Sequence, residues 1–139
     1  MNGDSRPDRS MMAAVESLAR FMAARAEGDP AGLFADTDVA IIENFAPYVF
    51  QGASAVQEWA RGFAVHATGL AQLKPSLGAA QDFSVDGARA YFSLPTNWTG
   101  TSNGRHFSED GGWAFVLMRD AGAWRVQAYG WAVTRYKLL

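Results

Sequence analysis

Two neighbouring side chains, Glu43 and Asn44, are the first candidates for chemistry. They lie near the end of a β-rich run over 39–45, and adjacent strand residues face opposite sides, so only one of them can point into an interior pocket. A carboxylate that points inward loses hydration, which raises its pKa toward the range of a general base. Acidic residues are rarely buried without a partner, so Glu43 can equally be a solvated charge at a strand end. The sequence leaves both interpretations open.

The second catalytic candidate is a histidine, His66. It lies one helical heptad after Trp59 and therefore shares a helix face with it. Histidine can act as an acid or a base near neutral pH. The alternative is a helix-end histidine that caps the carboxyl end, where cations are favoured. His106, beside a turn, is interpreted as a surface residue, and Glu109 and Asp110 as solvated residues of a strand edge.

Aromatic residues on one helix and on the later strands predict an aromatic-lined cavity. A small domain needs most of its rings in the core, so the prediction comes from the group more than from any member. Two polar residues, Tyr48 and Asn97, are candidates for fixing a ligand in such a cavity. The aromatic group consists of Trp59, Phe63, Phe92, Trp98, Trp113, Phe115, Tyr129 and Trp131.

Two helices are predicted in the first half of the chain. Apolar residues at three-and-four spacing, from Met11 to Ala26, predict a helix over 8–27 that ends at Gly28. Asp29 and Pro30 predict a short helix directly after it. A capping box of Ser54 with Gln57, which lie three residues apart, predicts a helix from there to about residue 66.

The second half of the chain has the period of β-strands. Alternation predicts strands over 73–85, 88–101, 105–119 and 124–135, with turns at Asp86-Gly87 and Asn103-Gly104 and a bulge at Gly111-Gly112. Helices followed by long antiparallel strands predict an α+β domain with helices on one face of a curved sheet and a hollow at its wide end. One domain is expected over 1–139, with a disordered tail over 1–7.

Composition narrows the classes of function. A net charge of −2 gives no basic stripe for nucleic acid. No apolar run approaches the roughly 20 residues of a membrane helix. The absence of cysteine and the presence of two unpaired histidines argue against disulfides, thiolate chemistry and a zinc site, so no metal or cofactor is expected. A cytoplasmic location is expected, because the N-terminus lacks the apolar region of a secretory signal.

Three stretches, in this order and spacing, resemble the nuclear transport factor 2-like superfamily, which includes SnoaL-like and ketosteroid isomerase-like proteins. They are Leu18-Ala19-Arg20-Phe21 through Gly28-Asp29, Glu43-Asn44-Phe45-Ala46-Pro47-Tyr48 through Gln51-Gly52, and Trp124-Arg125-Val126-Gln127-Ala128-Tyr129-Gly130-Trp131. The resemblance covers nearly the whole chain. It implies a cone, also called a cystatin-like α+β roll, with N-terminal helices packed on a strongly curved, mostly antiparallel sheet. It also implies a homodimer through the outer sheet face, where Tyr91, Val116 and Met118 lie.

The same resemblance argues against one activity. Ketosteroid isomerases use a tyrosine donor, an aspartate base and a second, protonated carboxyl group. The matching positions here hold Phe21, Asn44 and a residue near Trp113. Loss of one oxyanion-hole donor typically costs about 10²–10³ in rate, so steroid isomerisation by that mechanism is not expected. By position, Phe21 and Asn44 remain candidate pocket residues.

Three functions are compatible with these features. The first is a pocket protein that binds a small apolar or cyclic molecule. The second is a metal-independent dehydratase, cyclase or isomerase that uses Glu43 or His66 as its acid–base residue. The third is a dimeric interaction domain whose cavity is filled by its own side chains. A fold does not by itself decide among them.

Overall fold

The computed structural model describes residues 6–139, beginning with an amphipathic helix. Helix α1 spans Arg9–Ala23, and its N-cap Asp8 accepts a hydrogen bond from the Met11 backbone N–H at 3.0 Å. The helix ends earlier than predicted, because Arg25 and Ala26 adopt positive φ. Most of the predicted tail over 1–7 lies outside the described residues. The buried stripe of α1 is Met11, Val15, Leu18, Ala19, Phe21 and Met22.

The segment after α1 forms a turn where a short helix is predicted. Asp29 accepts a hydrogen bond from the Ala31 backbone N–H at 2.9 Å, as a cap would. The Leu33 N–H reaches the Pro30 carbonyl at 3.1 Å, and no helix continues from it. Phe34 then makes a parallel bridge to Val126, which ties the segment to the sheet. The prediction of a short helix that starts at Asp29 and Pro30 is therefore wrong, because only a single turn forms.

Helix α2 spans Ala55–His66 and buries Ala55, Trp59 and Phe63. Ser54 is its N-cap residue, as predicted, but the Ser54 side chain makes no capping hydrogen bond. The predicted capping box therefore does not form. Neither helix described between residues 6 and 139 has the length and apolar character that a membrane crossing needs.

Seven strands in residues 6–139 form one strongly curved, mixed sheet. Their order is β2-β1-β7-β6-β5-β3, and β4 pairs with β5 beside β3. All neighbours are antiparallel except β1 and β7, which run parallel. The strands are β1 Ala40–Ile42, β2 Val49–Gln51, β3 Leu70–Leu77, β4 Gln81–Asp86, β5 Arg89–Ser102, β6 Arg105–Asp120 and β7 Ala123–Leu138. The strand predicted over 73–85 is thus two strands, since the chain leaves the ladder between Leu77 and Gln81.

The predicted bulge exists, but its extra residue is on the partner strand. The register between β6 and β7 changes from Asp110↔Arg135 to Gly111↔Val133, which leaves Thr134 of β7 unpaired. The alternation of β6 therefore continues through the two glycines. A Cβ on Gly111 would overlap the Trp131 ring, whereas one on Gly112 would meet no atom within 4 Å. Bulges increase strand bending, and this one lies next to Trp131, which pairs with Trp113.

Candidate functional site

A cavity of about 270 Å³ lies between the two helices and the concave face of the sheet. Seven of the predicted site residues line it: Glu43, Asn44, Phe63, His66, Trp98, Trp113 and Trp131. The other lining residues are Met22, Thr68, Leu70, Leu73, Ser102, Phe107, Glu109 and Tyr136. We call this space the Glu43 cavity. Its lining comes from α1, α2, β3, β5, β6, β7 and the segments around them.

The remaining predicted residues lie outside the lining. Phe21, Trp59, Phe115 and Tyr129, together with Phe92, are buried in the core. Tyr48 is 58% exposed, between β1 and β2. Asn97 follows the opposite alternation to Trp98 on β5, and its amide donates to Ser108 Oγ at 2.9 Å and to Asp110 Oδ1 at 2.7 Å. Tyr48 and Asn97, the two residues predicted to fix a ligand, therefore do not reach the cavity, because both lie on surfaces that face away from it.

Glu43 is a buried carboxylate with two fixed partners. It is 4% exposed, and its Oε2 accepts hydrogen bonds from the Trp59 indole N–H at 3.1 Å and from the Tyr129 hydroxyl. Burial raises the pKa of Glu43, and the hydrogen bonds from Tyr129 and Trp59 partly oppose this. Both of these hydrogen bonds end on Oε2, and the backbone N–H of Asn44 also lowers the pKa of Glu43.

Of the two adjacent candidates Glu43 and Asn44, Glu43 is the one that lies inside the cavity. Asn44 is exposed and contributes to the rim of the cavity, while Glu43 lies inside. The interpretation of Glu43 as a solvated charge at a strand end is therefore wrong. Burial, together with the nearby charge of Glu43, raises the pKa of Tyr129 well above its ordinary value of 10.0. The phenol consequently stays protonated and remains a hydrogen-bond donor.

His66 is the last residue of α2 and borders the cavity. Although the residue is exposed overall, its ring stacks on Phe45 with a centroid distance of 4.8 Å and an interplanar angle of 20°. Loss of hydration against these neighbours lowers the pKa of His66. A lowered pKa favours the neutral imidazole, which can accept a proton, over a cationic helix cap.

Glu109 is a cavity residue that sequence reasoning missed. It is half-buried on β6, and burial raises its pKa, opposed by a hydrogen bond from Trp131. The charge of Glu109 makes a small further contribution to the raised pKa of Glu43, after the loss of hydration. Even spacing from Phe107 and Trp113 places Glu109 on their face of β6. The expected bulge within β6 hid this pattern, and the prediction of a solvated edge is wrong for Glu109.

The site has groups for acid–base chemistry in apolar surroundings. Glu43, Glu109 and His66 can exchange protons, and the other lining residues are mostly apolar or aromatic. The Trp113 indole N–H is buried and has no hydrogen-bond partner within residues 6–139. Within the same residues, no three histidine, aspartate or glutamate side chains come together as ligands for a metal ion.

Solved structures share this architecture at low sequence identity. LinA type 3, a hexachlorocyclohexane dehydrochlorinase from Novosphingobium barchaimii LL02, matches with a TM-score of 0.75 and 10% identity over 94% of this chain and 88% of that one. A scytalone dehydratase-like protein from Novosphingobium aromaticivorans DSM 12444 matches with a TM-score of 0.75 and 11% identity over 93% and 85%. A protein with a cystatin-like fold from Caulobacter vibrioides matches with a TM-score of 0.68 and 12% identity over 91% and 88%.

These likenesses confirm the predicted fold, the nuclear transport factor 2-like, cystatin-like cone. At such identities they show the fold alone. No family model matches the sequence, and no curated protein matches it.

Proposed function

We propose that the protein binds a small, largely apolar or cyclic organic molecule in the Glu43 cavity. The observation that carries this proposal is a buried carboxyl group, held by Trp59 and Tyr129, in a cavity with mostly apolar walls. Small-molecule sites typically combine such walls with a few fixed polar groups. An interaction domain with a filled cavity would not need the open space of about 270 Å³.

The test is a thermal scan of the protein with a set of small cyclic alcohols, ketones and amines. A ligand at 100 times its dissociation constant stabilises the native state by about 2.7 kcal/mol, which for a domain of this size is a shift of several degrees. The variant Ser102→Phe places a ring at a lining position of β5 and should abolish the shift. The control Thr99→Phe changes an exposed residue of the same strand and should keep it. If none of the molecules raised the melting temperature of wild type or of Thr99→Phe, the result would contradict the proposal.

An elimination enzyme is the second candidate function. It is favoured by three titratable groups with shifted pKa values, Glu43, Glu109 and His66, in one cavity. The names of two of the structural neighbours, a dehydrochlorinase and a scytalone dehydratase-like protein, both denote eliminations. Here Glu43 or His66 would take a proton from a carbon atom, and the same group, now protonated, would give a proton to the hydroxyl group on the next carbon as it leaves as water, without a metal ion.

Dehydration of 3-hydroxycyclohexanone to cyclohex-2-enone tests this candidate, since the product absorbs in the ultraviolet. A rate above buffer that is lost in Glu43→Gln or in His66→Gln would support an elimination enzyme and identify the acid–base residue. A wild-type rate equal to that of buffer would leave the binding function as the better explanation. Steroid isomerisation by the ketosteroid mechanism remains unexpected.

A homodimer through the outer sheet face is also proposed. Tyr91 is 37% exposed on β5, and its register partner on β6 is Val116. Met118 lies on the same face two residues further along β6. Exposed apolar patches of several hundred Å² are uncommon on monomers. Light scattering should report twice the chain mass of 15.0 kDa, and Val116→Arg should reduce it to the monomer. The cytoplasmic location remains a prediction.

A further inference from the structure

The charges that line the Glu43 cavity are of one sign. Glu43 and Glu109 are acidic, and the lining includes neither lysine nor arginine. His66 supplies little compensating charge, since loss of hydration lowers its pKa. A bound anion would therefore meet two carboxyl groups, and the Arg25 guanidinium, which donates to the carbonyl of the lining residue Leu70 at 3.1 Å, is not part of the lining. A bound cation would be attracted by both, and the attraction between charges is strong where water is excluded.

The walls of the cavity favour the same sign of charge. Trp98, Trp113 and Trp131 border it, and the Trp113 ring lies 6.3 Å from that of Trp98 and 6.0 Å from that of Trp131. Phe63, Phe107 and Tyr136 add further rings to the lining. The face of an aromatic ring attracts a cation within about 6 Å, most strongly for tryptophan. Aromatic walls alone would bind any apolar ring. Together with two carboxyl groups, they favour binding of a cation over binding of a neutral molecule.

Among residues 6–139, the buried carboxyl group of Glu43 has no positively charged hydrogen-bond partner. The hydrogen bonds that it accepts come from Trp59 and Tyr129, which are neutral donors. A buried charge without a counter-charge is costly. A cationic group in the cavity would supply the missing partner to Glu43 and to Glu109 together.

We infer that the ligand of the Glu43 cavity is a small hydrophobic amine, bound as its ammonium ion between the carboxyl groups of Glu43 and Glu109 with its ring against the indoles. This rests on the proposed function, that the cavity binds a small organic molecule. A volume of about 270 Å³ is below the roughly 300–1,000 Å³ of typical ligand pockets. The amine should therefore carry one ring.

Three probes of nearly equal shape test the inference by calorimetry near neutral pH: benzylamine, benzyl alcohol and benzoate. They are protonated, neutral and anionic respectively. Benzylamine should bind at least about tenfold more tightly than benzyl alcohol, a difference of about 1.4 kcal/mol, and benzoate should not bind. Glu109→Gln should reduce the preference for the amine toward equality. The control Glu58→Gln removes an exposed acidic residue of α2, with the same change in net charge, and should leave the preference unchanged.

Two results would overturn the inference. Benzyl alcohol or benzoate that binds as tightly as benzylamine would show that the cavity does not select a cation, while the proposed binding function would stand. Absence of benzylamine binding would also overturn it, and the thermal scan with cyclic molecules would then decide separately whether the binding function stands. A preference that is lost equally in Glu58→Gln would assign the effect to net charge and reject the site.

Discussion

The hydroxyl of Tyr129 donates a hydrogen bond to the carboxylate of Glu43, although 86 positions separate the two residues. The parallel pairing of β1 with β7 brings them together, since Ile41 pairs with Tyr129 and Ile42 with Gly130. Glu43 directly follows β1, so this register places its side chain beside the phenol. The orientation of the Glu43 carboxyl group therefore depends on the pairing of β1 with β7, which are the first and the last strand in chain order.

Removal of that donor should weaken both the fold and the ionised form of Glu43. Tyr129→Phe keeps the ring but deletes the hydroxyl, one of two donors to Glu43 Oε2, and a hydrogen bond to a charged group is worth about 1.5–3 kcal/mol. Because the hydrogen bond from Tyr129 lowers the pKa of Glu43, the pKa should rise further in the variant. Urea unfolding would measure the first effect, and NMR titration of the Glu43 carboxyl carbon the second. An unchanged Glu43 pKa would contradict the contact.

The buried carboxyl group should also make stability depend on pH. The folded-state pKa of Glu43 is raised above its ordinary value of 4.5, so the folded protein holds this proton more tightly than the unfolded chain. Protonation of Glu43 therefore stabilises the folded protein. This contribution to the free energy of unfolding is present in full below about pH 4.5 and is lost as the pH rises through the folded-state pKa. Glu43→Gln removes this decrease, and urea unfolding at a series of pH values would measure it.

Two neighbours titrate as well and must be considered in that experiment. Glu109 has a raised pKa and contributes with the same sign as Glu43. His66 has a lowered pKa, so its contribution to the free energy of unfolding is present above its ordinary pKa of 6.5 and is lost as the pH falls.

Glu58→Gln, at an exposed position, serves as the matched control for Glu43→Gln. If its pH profile changed as much as that of Glu43→Gln, the effect would not come from the cavity.

Two adjacent glycines of β6 should respond differently to the same substitution. In Gly111→Ala the added methyl group overlaps the Trp131 ring, whereas in Gly112→Ala it meets no atom within 4 Å. Overpacking typically costs about 1–3 kcal/mol, so Gly111→Ala should lower the melting temperature and change the fluorescence of the displaced indole. Gly112→Ala should be nearly neutral. Equal destabilisation by both would show that Trp131 does not lie over Gly111.

The fold was largely predictable because its signals are local. The three-and-four spacing of α1 and the alternation of β5, β6 and β7 report which face of each element is buried, and the order of elements then indicates the cone. The site was less predictable because its geometry is non-local. Burial of Glu43 depends on the pairing of β1 with β7, and the face on which Glu109 lies depends on β6 having no bulge of its own, since the extra residue is in β7. The prediction of Tyr48 and Asn97 as ligand contacts depends on residue type, which does not show where a side chain points.

Truncation of Trp98 should change the size of ligand that the cavity accepts. Trp98 is 7% exposed, lines the cavity and packs against Trp113. Trp98→Ala should therefore enlarge the cavity, and loss of a large buried ring costs about 3–5 kcal/mol. Wild type should prefer benzyl alcohol to 2-naphthylmethanol, and the variant should reverse this preference, because only the second ring fills the new space. The larger ligand should also recover part of the lost stability in a thermal scan.

The control for this change is a tryptophan outside the cavity. Trp124 is half-buried on β7, and the Arg119 guanidinium lies 5.5 Å from its ring centroid. Trp124→Ala should lower the melting temperature without altering the preference for benzyl alcohol, since Trp124 is not part of the cavity lining. If Trp98→Ala lost stability and kept the wild-type preference, Trp98 would be a core residue that does not border ligand space. If both variants reversed the preference, the reversal would follow from destabilisation, and the position of Trp98 in the cavity wall would not explain it.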